Sequence, residues 1–155
     1  MLGACGLAGC GSAQSPPPVV PPHSAAERLW AANASRLIQL LESRIALTAA
    51  GGANVRSARA ALSDTSDLYT TLVAYTFFSG CNTEIASVGR PSARAERVVA
   101  TLISACVRLE HASTLFHLAV TRKEPQLLVR ATHLSATADP LLYRATAELV
   151  ALRGS

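Results

Sequence analysis

The stretch Ser92-Ala-Arg-Ala-Glu-Arg-Val-Val-Ala-Thr-Leu-Ile-Ser-Ala-Cys-Val-Arg-Leu-Glu-His-Ala-Ser-Thr-Leu-Phe-His-Leu-Ala-Val120 decides the fold. Within it Ala95, Val99, Leu102, Cys106, Leu109, Ser113, Phe116 and Val120 follow one another in alternating steps of four and three. That rhythm keeps side chains on one face of a helix with 3.6 residues per turn. It predicts a single long helix from about Ser92 to Val120 with one continuous apolar seam.

The same period extends outward in both directions. Downstream, Glu124-Pro125 opens a fourth helix with Leu127, Leu128, Ala131 and Leu134 facing inward. Asp139-Pro140 opens a fifth, because aspartate caps well and proline suits the first helical position. Its stripe is Leu142, Thr146, Leu149 and Val150. Upstream, Ser24 with Glu27 three residues later forms a capping box for the first helix. That helix carries Trp30, Leu37, Ile38, Leu41 and Ile45 inward, and Gly51-Gly52 is expected to end it.

A second helix is expected from Asn54 to Phe78, with Val55, Ala58, Leu62, Tyr69, Leu72 and Val73 at helical spacing. Its weak point is Ser63-Asp64-Thr65-Ser66-Asp67, a poor helix former where a break is the alternative. Residues 79–91 form a connection, with room for a turn of helix at Thr83–Val88 and with Gly89-Arg90-Pro91 as punctuation. No segment shows strand alternation. The fold class is therefore all-α, an antiparallel helical bundle of four to five helices joined by short loops.

Totals agree with a globular chain of one domain. Of 155 residues half are apolar and 15% charged, which excludes intrinsic disorder across the whole length. The net charge of +4 comes without any block of like charges, so the basic side chains read as solvated helix faces. Aromatic residues make up only 5%, too few for a base-stacking surface, and no nucleic-acid partner is expected. No run of about 18 uninterrupted apolar residues predicts a transmembrane helix.

The N-terminus carries a different kind of signal. Leu7-Ala8-Gly9-Cys10 resembles a bacterial lipobox, in which small residues precede a cysteine that becomes the new N-terminus. The resemblance implies a diacylglyceryl group on the Cys10 sulfur and cleavage between Gly9 and Cys10. Residues 1–9 are then a leader remnant, and acyl chains on Cys10 anchor the protein to the bacterial cell membrane. Residues 10–23 follow as anchor and tether, containing Pro16-Pro17-Pro18-Val19-Val20-Pro21-Pro22. Proline fixes φ and removes donors, so polyproline II is expected. A semi-rigid spacer is the favoured reading, and a ligand for an aromatic groove on another protein is the alternative. Residues 24–155 form the bundle domain.

With Cys5 in the leader and Cys10 lipidated, Cys81 and Cys106 are left as a pair. In an oxidising compartment an even pair reads as a disulfide. Cys106 lies well inside the long helix, so pairing requires the 79–91 connection to fold back alongside it.

Motifs for chemistry are sparse. Of His23, His111, His117 and His133, only His117 shares a helix face with Glu110 and Thr114, and His133 could approach from the next helix. This is the best metal or acid–base arrangement available, yet it lacks any His-Glu-x-x-His or Glu-x-x-His pattern. Nucleophile-elbow and phosphate-loop motifs are missing, and Ser79-Gly80-Cys81-Asn82 is explained better by a disulfide. No catalytic residue, metal or cofactor is assigned. Tyr69, Tyr75, Phe77 and Phe78 cluster near one helix end and could line an apolar pocket.

The expected function is that of an exported, lipid-anchored, non-enzymatic interaction or structural module that meets an envelope protein. The alternative is a binding protein for a small apolar ligand held between helices. Oligomeric state stays open.

Overall fold

A computed structural model describes residues 24–89 and 91–154. Cys10, the leader and the proline-rich tether lie outside the described residues. Helices account for nearly all of what is described: α1 (Ala25–Gly52), α2 (Val55–Ser63), α3 (Thr65–Ser79), α4 (Cys81–Ser87), α5 (Glu96–Arg122, after a 3-10 turn at Ala93–Ala95), α6 (Pro125–Ala136) and α7 (Asp139–Gly154). There is no strand among the described residues.

Six of the seven described helices form four antiparallel columns. α1 and α5, at 28 and 27 residues, are each about 40 Å long at 1.5 Å per residue. α3 and α4 make a second, broken column, and α6 and α7 another. α1 packs against α3, α6 and α7, while α5 packs against α3, α4, α6 and α7. The two long helices therefore stand at opposite corners. α2 lies across one end, against α1, α3 and α6. The bundle is the expected all-α architecture.

Local chemistry explains most boundaries. Ser24 Oγ accepts from the Glu27 N–H and Glu27 Oε2 accepts from the Ser24 N–H, both at 3.1 Å, completing the expected capping box. Lys123 ends α5 in the left-handed region at φ 54°. Pro125 then occupies the first turn of α6, where its missing N–H leaves no helical bond unmade.

One boundary corrects the sequence reading. The segment 54–78 is two helices, not one. Asp64 ends α2 in extended geometry (φ −97°, ψ 120°), and its carboxylate accepts from the N–H groups of Ser66 and Asp67 at 2.8 and 3.3 Å. A side chain that satisfies the first donors of a new helix removes the advantage of continuing the old one. The phase of the apolar stripe resets there: Val55, Tyr69 and Leu72 are exposed, while Ala58, Thr71 and Ala74 are buried.

α1 ends at the glycine pair as expected, with Gly52 its last residue. Gly52 is buried where α1 crosses α6: a Cβ there would lie 1.7 Å from Thr132 Oγ1 and 2.3 Å from Thr132 Cβ. Glycine is present to let two helices touch.

The core contains every residue expected from the α1 stripe, from Trp30 to Ile45. On α5, Ala95, Leu102, Cys106, Leu109, Ser113 and Phe116 are buried as the seam requires, and Val99 and Val120 are half-buried. A second row, Val98, Thr101, Ala105, Ala112 and Ala119, is buried as well. A helix with neighbours on two sides buries a wider arc than a two-stranded seam. This is why Ala93–Arg122 is apolar and long enough, by composition, to cross a membrane while serving here as a core helix. On α7 the inward set is Leu142, Ala145 and Leu149, and the expected Thr146 and Val150 face solvent.

Candidate functional site

Cys81 and Cys106 form a disulfide, with their Cα atoms 5.3 Å apart and both residues fully buried. The separation along α5 resolves itself structurally. Gly80 divides α3 from α4 partway down the column, so Cys81 starts α4 level with the middle of α5. α4 then descends beside α5, with Ile85 and Val88 near Val99 and Leu102. The connection expected at 79–91 is thus a seven-residue helix pinned at its first residue.

Glu110 belongs to this junction and not to a metal site. Its Oε1 accepts from the Asn82 N–H at 3.3 Å and from Asn82 Nδ2 at 2.8 Å, satisfying donors in the first turn of α4. Thr114 Oγ1 donates back to the Glu110 carbonyl at 3.1 Å. His111, His117 and His133 are all exposed. Among the described residues no group of three or more His, Cys, Asp or Glu side chains could hold a metal ion. Replacing Glu110 by alanine should destabilise by about 1 kcal/mol, the ordinary worth of a cap. Hydrogen exchange should show the loss confined to the amides of α4, with α5 unaffected.

The aromatic cluster is split by the fold. Tyr69 is 68% exposed, and Phe77 is half-buried with the Arg44 guanidinium 6.0 Å from its ring centre. Tyr75 and Phe78 are fully buried. Tyr75 stacks on Phe116 at 4.5 Å and meets Phe78 edge-on at 5.5 Å. These rings fill the core in place of lining a pocket, because 75 and 78 sit on the inner face of α3 while 69 lies on its outer face.

Tyr75 also heads a buried chain of hydroxyls that joins α1, α3 and α6. Its phenol lies 3.2 Å from Thr132 Oγ1, which donates to the Thr48 carbonyl at 3.3 Å. Thr48 Oγ1 lies 3.1 Å from Ser135 Oγ. Thr48 Oγ1 further reaches the Ile45 carbonyl at 2.8 Å, and Ser135 Oγ the Thr132 carbonyl at 2.9 Å. Every member is satisfied, so the chain fixes helix register at the core's centre without an unmet polar group.

Burial pushes the Tyr75 phenol above its ordinary value of 10, and the Thr132, Ser135 and Thr48 hydroxyls pull it back in part. The folded state thus holds a proton that the unfolded chain releases near pH 10. Stability from this group is complete below pH 10 and declines as pH rises toward the higher folded value. Tyr75→Phe should cost about 1 kcal/mol at neutral pH through the lost hydrogen bond. It should also flatten the alkaline fall, measured as denaturant midpoints between pH 9 and pH 11.

The open apolar space is elsewhere. At the end of the bundle where α1 begins, α5 begins and α7 ends, a groove of about 440 Å³ is lined by Trp30, Ala31, Ala32, Ala95 and Leu152. Glu27, Arg28, Ser92 and Arg153 add polar side chains to its lining. Arg153 ties the corner together, donating through Nη2 to the Ala31 carbonyl at 3.3 Å and to Ser35 Oγ at 3.0 Å. The volume lies within the range of small-ligand and peptide-anchor sites.

No known protein family, curated protein or solved structure matches this chain. Nothing in the sequence marked that groove: its walls come from segments about 60 residues apart, and alanine, its commonest lining residue, is common everywhere in the chain.

Proposed function

We propose that the protein is an exported, lipid-anchored envelope protein whose bundle acts as a non-enzymatic interaction module. The observation that carries the reading is the placement of the Trp30 groove. It opens at the end of the bundle where Ser24 starts α1, so the surface offered to a partner adjoins the chain that leads back to Cys10. The resemblance of Leu7-Ala8-Gly9-Cys10 to a lipobox supports the anchor, and the Cys81–Cys106 disulfide fits an oxidising compartment. The partner of this reading is an envelope protein, held within reach by the tether.

The test is the intact mass of the protein made in its native context, with and without reductant. A mature chain starting at Cys10, carrying diacylglyceryl mass and gaining about 2 Da on reduction, is the expected result. An unprocessed, unlipidated chain with free thiols would overturn export and anchoring together.

A further inference from the structure

We infer that the Trp30 groove is the docking site for the chain's own proline-rich segment, Pro16–Pro22. This deepens the reading of the groove as a docking surface, and it does not depend on the lipid at Cys10. The argument starts from where the chain enters. Ser24 caps α1, and residues 27–32, which form one wall of the groove, are its first two turns. Those turns rise about 10 Å along the helix. Pro16–Pro22 would span about 22 Å in the polyproline II form its composition favours, enough to run along the groove where the chain turns back at Pro22-His23.

Chemistry favours the same occupant. Proline-rich segments dock in shallow apolar troughs that carry an aromatic ring, because their extended shape is already set and little entropy remains to be lost. Here Trp30, only 6% exposed, contributes part of its surface to the groove, and Ala31, Ala32 and Ala95 add small apolar side chains beside it. Val19 and Val20, between the prolines, add apolar side chains to the segment. A short connection holds the segment at an effective concentration in the millimolar range, so weak intrinsic affinity suffices.

Trp30 is the only tryptophan, so its indole N–H gives a single, unambiguous NMR signal. Spectra of the full chain are compared with those of a variant carrying Pro17→Ser, Pro18→Ser, Val20→Ser and Pro21→Ser. The Trp30 indole and the Ala31, Ala32 and Ala95 amides should shift in the variant, while signals of α3 and α6 remain in place. Adding a free peptide of residues 15–23 should return the variant's shifted signals toward their positions in the intact chain. The intact chain should need at least about tenfold more peptide to respond, because its own segment competes. Superimposable spectra of the two chains would overturn the inference. So would an equal response of both chains to the peptide, or to an apolar small molecule such as a fatty acid. A dimer that forms only in the intact chain would show the segment acting between copies and would overturn docking within one chain.

Discussion

Gly52→Ala should destabilise the bundle by about 3 kcal/mol, although alanine is the better helix former. The propensity gain for replacing glycine in a helix is at most about 1 kcal/mol. Against it stands a Cβ placed 1.7 Å from Thr132 Oγ1 and 2.3 Å from Thr132 Cβ, an atom fixed to the α6 backbone that no rotamer change can move away. Overpacking of that kind forces two helices apart and typically costs 1–3 kcal/mol or more. It also pulls Thr132 from its hydrogen bonds with Tyr75 and with the Thr48 carbonyl. The discriminating measurement is a double-mutant cycle by urea denaturation. Thr132→Gly alone should cost about 2 kcal/mol through lost hydrogen bonds and helix propensity. In the Gly52→Ala background the same change removes the obstruction, so the double variant should be more stable than Gly52→Ala alone. Additive effects within about 0.5 kcal/mol would mean that the two residues do not contend for the same space.

This crossing also shows what a sequence can and cannot announce. The stripes on α1 and α5 were legible because long periodic runs leave one reading, and Trp30, Ile38, Leu102 and Phe116 are buried where spacing put them. The Ser24–Glu27 box was legible because both partners lie within one turn. Gly51-Gly52 was legible as the end of α1, but the close approach at Gly52 was not, because it answers to Thr132, 80 residues away. Asp64 was ambiguous for the opposite reason. Its neighbours keep helical spacing, and the break depends on whether its carboxylate caps the next helix or faces solvent. The aromatic run 75–78 looked like a pocket wall because composition does not say which side of a helix faces the core. The groove at Trp30 was invisible, since its walls come from three helices that meet only in the fold.

Removing the Cys81–Cys106 bond is the second change expected to have a large effect. The residues are 25 apart, and chain-entropy accounting for a loop of that size gives about 3.5 kcal/mol. For a domain of about 130 residues this corresponds to a fall in Tm of roughly 10 °C. Both sulfurs are fully buried, so Cys81→Ala/Cys106→Ala is preferable to serine, which would bury two hydroxyls in the core. Without the bond, α4 is held by Glu110 on Asn82 and by the half-buried Ile85 and Val88. It has seven residues, too short to persist without packing, so its amides should exchange first while α1 and α5 stay protected. Calorimetry of the oxidised protein, the reduced protein and the double-alanine variant separates the contributions. If oxidised protein alone melts about 10 °C higher, the bond acts by restricting the unfolded chain. A difference below about 2 °C would show that contacts surviving in the denatured ensemble already close the loop. Bundle stability would then be independent of the redox state of its surroundings, and the disulfide would lend no support to an oxidising compartment.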